Sequence, residues 1–154
     1  MKKVYYLKTC STCIRILKEL NLPSDFTVQD IKTEEITVKQ LEHMKSLAGS
    51  YEALFSKKAK LYKEMDLKNQ TLEERDFKHY ILDHYTFLSR PVIIFNDQIF
   101  IGNSKQVVEK AKNAILKVGQ AKGFDYVLDS SQGQGVIFAG GSDLMQDVKT
   151  ELGF

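Results

Sequence analysis

The stretch KVYYLKTCSTCIRILKEL, residues 3–20, decides the fold. Its first five residues, Lys3 to Leu7, are β-branched and aromatic, the composition of a strand. From Cys13 to Leu20 the apolar residues Ile14 and Leu17, with Ile16 and Leu20 nearby, recur at helical spacing. Between the two lies Cys10-Ser11-Thr12-Cys13, so a strand delivers two thiols onto the start of a helix. Asn21 to Asp25 carries Pro23 and other turn formers. Phe26, Val28 and Asp30-Ile31 then alternate as a second strand, parallel to the first. The opening of the chain therefore predicts a βαβ unit.

Further along, Thr37 predicts the N-cap of a helix whose apolar stripe is Leu41, Met44 and Leu47-Ala48, ended by Gly49. A short helix is predicted from Tyr51. Thr71 with Glu74 matches a capping box, and Phe77, Tyr80-Ile81 and His84 continue a helical face. After Arg90-Pro91 the pattern becomes Val92-Ile93-Ile94-Phe95, Asn96-Asp97, Gln98-Ile99-Phe100-Ile101, which is two strands around a two-residue turn, closed by Gly102. Ser104 predicts the cap of a last helix carrying Val107-Val108, Ala111 and Ile115. The element order is βαβ, inserted helices, ββα.

At Gly119 the composition changes, because seven of the nine glycines lie from there onward. The chain is thus divided into a domain of residues 1–118 and a Gly-rich extension of residues 119–154. In the extension Tyr126-Val127-Leu128 and Val136-Ile137-Phe138 read as short strands and Asp143 to Leu152 as a helix, a small β/α piece. With 154 residues, 43% of them hydrophobic, the chain is long enough for one ordinary core and an appendage, not for a second large domain. The 22 basic and 20 acidic side chains leave a net charge of +2, no bulk field that would draw nucleic acid or an anionic membrane. The start lacks the apolar run of an export signal, and no segment reaches membrane-spanning length. A soluble, cytoplasmic protein is expected.

Both cysteines sit in one tetrapeptide and cannot staple a long loop. Three uses remain. As small buried hydrophobes they would be inert. As half of a zinc site they would need two more ligands, and His43, His79 and His84 stand at no usual spacing from them, so no metal is expected. As a redox pair they are well placed: a thiol where a strand meets a helix lies among unsatisfied N–H groups and the helix dipole, which favour its anion. On that reading Cys10 is the nucleophile, and Cys13, one turn on, attacks an adduct on Cys10 to release product. Pro91 is compatible equally with an ordinary strand start and with a cis proline whose backbone lies beside the thiol. The basic cluster Lys57, Lys58, Lys60 and Lys63 reads first as a solvated face, and HYILDHYTF, residues 79–87, as packing.

Four blocks taken together, KVYYLKTCSTC, YEALFSKKAKLYKEMDL, LSRPVIIFNDQIFIGN and the closing helix, resemble the arsenate reductase (ArsC) and Spx family over residues 1 to about 118. The resemblance implies an α/β thioredoxin-like fold, a catalytic thiolate at Cys10, and an arginine at position 90, before a cis proline, that binds an oxyanion or steadies the thiolate. A guanidinium fork suits a tetrahedral oxyanion better than a lysine does. Ser11, Thr12, Lys57, Pro91 and Asn103 complete the expected substrate-binding set.

The family's glutaredoxin-coupled reductases carry two further arginines where this chain has Ser56 and Asn103; it has only three arginines, at 15, 75 and 90. Lys57 and Arg15 are the candidate replacements for that charge. The second cysteine resembles the switch pair of Spx-type regulators. The resemblance therefore implies a thiol–disulfide oxidoreductase with no bound cofactor, regenerated by a thioredoxin- or glutathione/glutaredoxin-type reductant. Its partners would be a small oxyanion or thiol/disulfide substrate and a redox partner protein. The rival is a redox-sensing regulatory protein without turnover. The tail, GFDYVLDSSQGQGVIFAGGSDLMQDVKTELGF, resembles the end of Skp/OmpH-type chaperones, without their coiled arms, and implies a monomer or a weak dimer through the extension.

Overall fold

A computed structural model describes residues 1–121, with side chains through 118. The chain divides into two compact units, Met1–Ala111 and Lys112–Phe154. The strands and helix expected between Tyr126 and Leu152, and any association through them, lie outside the described residues.

Strand β1 (Lys2–Tyr6) leads into helix α1 (Ser11–Leu20) and strand β2 (Thr27–Asp30), which runs parallel to β1 with Val4 opposite Val28. Helix α2 (Val38–Ala48) follows. The next segment holds a 3-10 turn at Glu52–Leu54, the short helix α3 (Lys60–Glu64) and a second 3-10 turn at Leu67–Asn69. Helix α4 (Glu74–Asp83) and a third 3-10 turn at Tyr85–Phe87 precede strands β3 (Val92–Phe95) and β4 (Gln98–Ile101), and helix α5 (Lys105–Ala121) closes the described chain. The sheet order is β2-β1-β3-β4, with β3 antiparallel to both neighbours. This is the α/β architecture with inserted helices that the sequence predicts.

Strand alternation explains how the sheet gains two cores. Val4 and Ile93 face one side, where Ile16 and Leu20 of α1 and Val108 and Ala111 of α5 pack on them. Tyr5, Val92 and Ile94 face the other, against Leu41 and Met44 of α2, Phe77 and Ile81 of α4, and the 3-10 turns. A strand covered on both faces has no polar side to show, which is why Val92-Ile93-Ile94-Phe95 is apolar throughout and fully buried. Each such side chain contributes about 1.5–3 kcal/mol of burial. Asn96 takes a positive φ of 55° to turn β3 into β4, as short polar residues tolerate.

Several expectations are corrected in detail. On β2 it is Gln29 that points inward, 1% exposed, whereas Val28 is 51% exposed on the sheet edge. The reason is a reciprocal amide pair: Gln29 Nε2 donates to Gln40 Oε1 at 3.3 Å and to the Glu34 carbonyl at 3.1 Å, and Gln40 Nε2 donates back to Gln29 Oε1 at 3.1 Å. Gln40 Oε1 also accepts from the Thr37 N–H while Thr37 Oγ1 accepts from the Gln40 N–H, so Thr37 does cap α2, in a full box. The box expected at Thr71 and Glu74 is displaced: Glu73 caps α4 with Asp76 as its partner. The Glu74 carboxylate instead accepts from the N–H groups of Tyr51 and Glu52. His84 ends α4 and does not continue its face. On α1 the buried stripe is Cys13, Ile16 and Leu20, with Ile14 and Leu17 half-buried beside it. The helix expected from Tyr51 is divided between a 3-10 turn and α3.

Candidate active site

Cys10 is the N-cap of α1. Its backbone is extended (φ −92°, ψ 108°), its N–H donates to the Leu7 carbonyl at 3.0 Å, and its own carbonyl accepts the first helical bond, from Ile14, at 3.1 Å. This places the sulfur beside N–H groups of the first turn that have no carbonyl partner. Partial burial opposes ionisation, but the Cys13 N–H, the Cys13 thiol, the Thr12 N–H and the positive charge of Arg90 outweigh it, and the Cys10 pKa is lowered. The thiol side chain closes no strict cap hydrogen bond; the stabilisation is of its anion.

Cys13 lies three residues on and is fully buried. Burial pushes its pKa up to about 11, and the neighbouring Cys10 adds to this, while the Leu7 backbone N–H, donating to the sulfur, and the charge of Arg90 oppose it. Two cysteines three residues apart are thus driven in opposite directions. One is a partly exposed thiol inclined to ionise; the other is a concealed proton carrier. Both are free thiols here.

Arg90 precedes Pro91 across a cis peptide bond. Its guanidinium is held from behind by backbone oxygens: Nη1 donates to the Thr86 carbonyl at 3.2 Å and, more loosely, to that of Leu88 at 3.4 Å. Thr86 is fixed in turn by His84, whose Nδ1 accepts the Thr86 N–H at 3.2 Å and meets its Oγ1 at 2.7 Å. An accepting Nδ1 assigns the proton of a neutral ring to Nε2. Arg90 Nε is buried without a hydrogen-bond partner among the described residues.

Cys10 and Arg90 open onto one cleft of about 870 Å³. Its far wall is the segment Ser50 to Lys60, and its floor includes Leu88, Ser89, Gly102 and Asn103. The wall is pinned in place by backbone bonds, Ser56 N–H to the Phe87 carbonyl at 2.7 Å and Ser89 N–H to the Leu54 carbonyl at 2.8 Å. Beneath it Phe55 packs in a ring cluster, stacked on Phe87 at 5.3 Å and tilted against Phe77 at 5.0 Å. Gly102, at φ +91°, turns the chain and donates its N–H to the Pro91 carbonyl at 2.9 Å.

Of the residues expected at the site, Cys10, Arg90, Lys57 and Asn103 come together around this cleft. Ser56, one of the two positions where the family's glutaredoxin-coupled reductases carry an arginine, lines it too. Lys57 is tied to Glu52, Nζ to Oε1 at 2.7 Å, which raises its pKa. Thr12 contributes through its N–H, and Pro91 is buried behind the opening. Ser11 faces a separate hollow of about 460 Å³ that also holds Arg15. Thr86 and His84 act through a backbone carbonyl and an imidazole that supports it, a role for which no sequence motif exists and which the reading of residues 79–87 as packing does not contain.

The profile of the ArsC family matches residues 5–111, a span that contains every residue of the cleft. A second profile, outer membrane protein (OmpH-like), matches residues 96–152, the region whose tail carries that resemblance. Comparison with curated proteins returns no match. Among solved structures, the chain is similar to a putative ArsC family related protein from Bacteroides fragilis, with 22% identity and a TM-score of 0.60 over 71% of this chain and 96% of that one. It is also similar to an arsenate reductase from Vibrio cholerae, with 24% identity and a TM-score of 0.59 over 70% and 97% of the two chains. A putative arsenate reductase from Yersinia pestis matches at 19% identity and a TM-score of 0.57 over 71% and 99%. These likenesses establish the arsenate reductase-like, thioredoxin-like fold, and the family match over most of the sequence leads to one statement: the chain belongs to the ArsC family.

Proposed function

We propose that the protein is a thiol–disulfide oxidoreductase in which Cys10 attacks and Cys13 resolves. The observation that carries this reading is the split between the two thiols: Cys10, at the helix N-cap beside Arg90, has a lowered pKa, while Cys13, buried in the same turn, is held protonated up to about 11. The Cys10 thiolate attacks one sulfur of a disulfide substrate; the substrate S–S bond breaks and its other half leaves as a thiolate. In the mixed disulfide Cys10 no longer carries charge or accepts from Cys13. Both influences by which Cys10 raised the Cys13 pKa are then gone. Cys13 gives its proton to the leaving thiolate or to water and attacks Cys10 Sγ, forming the Cys10–Cys13 disulfide and releasing the second half of the substrate. Two electrons have passed to the substrate.

No bound cofactor is needed. An external dithiol of the thioredoxin or glutaredoxin type, or glutathione, restores the pair, and such cycling suits the reducing cytoplasm. Arg90 and the first-turn N–H groups also offer a small oxyanion a partial site, with Ser56 and Asn103 where further arginines would strengthen that use.

The test is a coupled assay with glutathione mixed disulfide, a model disulfide and arsenate. Turnover is expected with a disulfide substrate, lost in Cys10→Ser, with Cys13→Ser accumulating a mixed disulfide visible by mass spectrometry. A Cys10–Cys13 disulfide that forms readily while no substrate turns over would transfer the protein to the class of redox sensors.

A further inference from the structure

We propose that the reductant of the Cys10–Cys13 disulfide is a protein dithiol with an acidic rim, which docks on the basic surface formed by Lys8, Arg15 and Lys18 around Ile14. The inference rests on the redox reading above and adds the partner. Its starting point is the second hollow, lined by Lys8, Thr9, Ser11, Ile14, Arg15 and Lys18. The lining holds three cations and no carboxylate. Lys8 and Lys18 form no ion pair among the described residues, and both are exposed. Arg15 meets Glu19 at 3.7 Å as an exposed pair that solvent screens, so its guanidinium stays available. Ile14, half-buried in the middle, supplies a small apolar contact.

This surface and the cleft share no lining residue, and Cys10 connects them along the chain. It lines the cleft, and in the chain it stands between Thr9 and Ser11 of the hollow. A donor seated on the hollow therefore contacts the residues on either side of Cys10 in the chain. Because Cys13 is fully buried, the donor must attack Cys10 Sγ. The first donor thiolate bonds to Cys10, the Cys10–Cys13 bond breaks, and Cys13 leaves and takes up a proton. The donor's second thiol, deprotonated, attacks its own partner sulfur and frees the Cys10 thiolate. Donor dithiol is oxidised and the pair is reduced, two electrons each. A cluster of like charge beside the reacting atom, with no countercharge in its lining, selects a partner of opposite sign and speeds encounter.

The experiment uses the full chain, oxidised to its internal disulfide, and an acidic thioredoxin recycled by its reductase and NADPH. The charge reversal Lys8→Glu/Arg15→Glu/Lys18→Glu should lower kcat/KM for thioredoxin by about tenfold or more and flatten its decline with salt. Reduction of the same variant by dithiothreitol should be unchanged, which shows that the disulfide itself is intact. Lys39→Glu/Lys63→Glu/Lys68→Glu, the same charge change on exposed positions elsewhere, should keep the wild-type thioredoxin rate. Equal thioredoxin rates for wild type and the first variant overturn the docking surface, as does an equal loss in the second. So does a wild-type disulfide that dithiothreitol opens and no acidic dithiol protein opens. Failure of Cys10 and Cys13 to form a disulfide at all overturns the redox reading beneath it, a distinct result.

Discussion

The Thr86 carbonyl oxygen accepts a hydrogen bond from Arg90 Nη1 at 3.2 Å, and it fixes from behind the guanidinium whose charge acts on both thiols. The donor fork is divided: one nitrogen is spent on backbone oxygens, and the charge is left to the sulfur. A lysine carries the same charge on a single flexible point and cannot do both at once. Arg90→Gln should therefore cost on the order of 10²-fold in kcat/KM for a disulfide substrate, the scale of losing one preorganised group at a developing anion. Arg90→Lys should recover only part of it. Steady-state rates of the three proteins decide the matter, and indistinguishable Arg and Lys enzymes would mean that charge alone suffices.

Alkylation should separate the thiols by pH. The Cys10 pKa is lowered, so its thiolate fraction at neutral pH exceeds that of an ordinary cysteine, and its reaction with iodoacetamide should lose rate only as pH falls through that lowered value. Cys13, raised to about 11, should stay unmodified at neutral pH and react only in strong alkali. Mass spectrometry after a timed exposure at pH 7 should find one label, on Cys10. In Arg90→Gln the inflection for Cys10 should move upward, because an opposing positive charge is gone. Two labels appearing at the same slow rate would contradict the arrangement.

Gln40 joins two structural tasks, capping α2 with Thr37 and satisfying the buried Gln29 amide. Replacing it with alanine opens the capping box, at about 1 kcal/mol, and leaves the Gln29 amide short of a partner, at about 1–3 kcal/mol. Gln40→Ala should thus lower unfolding stability by about 2–4 kcal/mol in denaturant titration, with m unchanged. Gln29→Leu in the Gln40→Ala background should restore part of this, since an apolar group has no bond to lose.

The same pair marks where sequence reading stops. The βαβ opening, the hairpin at Asn96-Asp97 and the cap at Thr37 are legible because each depends on neighbours within a few residues. Gln29 facing inward is not, because its partner Gln40 lies beyond the turn after β2 and a lone glutamine in a strand carries no sign of it. Val28, apolar and on the sheet edge, then looks like the buried position. At the site, Cys10 and Cys13 are visible as a tetrapeptide, while Arg90 became visible only through the family's spaced motifs. The role of Thr86 and His84 is not legible, since a carbonyl that anchors a guanidinium can belong to any residue.

The departures at Ser56 and Asn103 lead to a gain-of-function expectation. Both line the same cleft as Cys10 and Arg90, so a longer side chain at either position enters the space that an oxyanion would occupy. Lys57, next to Ser56 in the wall, is held by Glu52 at 2.7 Å, and its charge is partly neutralised there. Only Arg90 is left as an anchored guanidinium, which is thin recognition for a tetrahedral anion with several oxygens. A charge-assisted hydrogen bond contributes about 1.5–3 kcal/mol, tenfold or more in affinity. Ser56→Arg/Asn103→Arg should therefore raise kcat/KM for arsenate by at least about tenfold over wild type, mainly through a lower KM, while leaving turnover of a neutral disulfide nearly the same. A coupled assay with both substrates provides the comparison. If the double variant gains nothing with arsenate while remaining folded and active on the disulfide, the missing arginines are not what limits oxyanion use in this cleft.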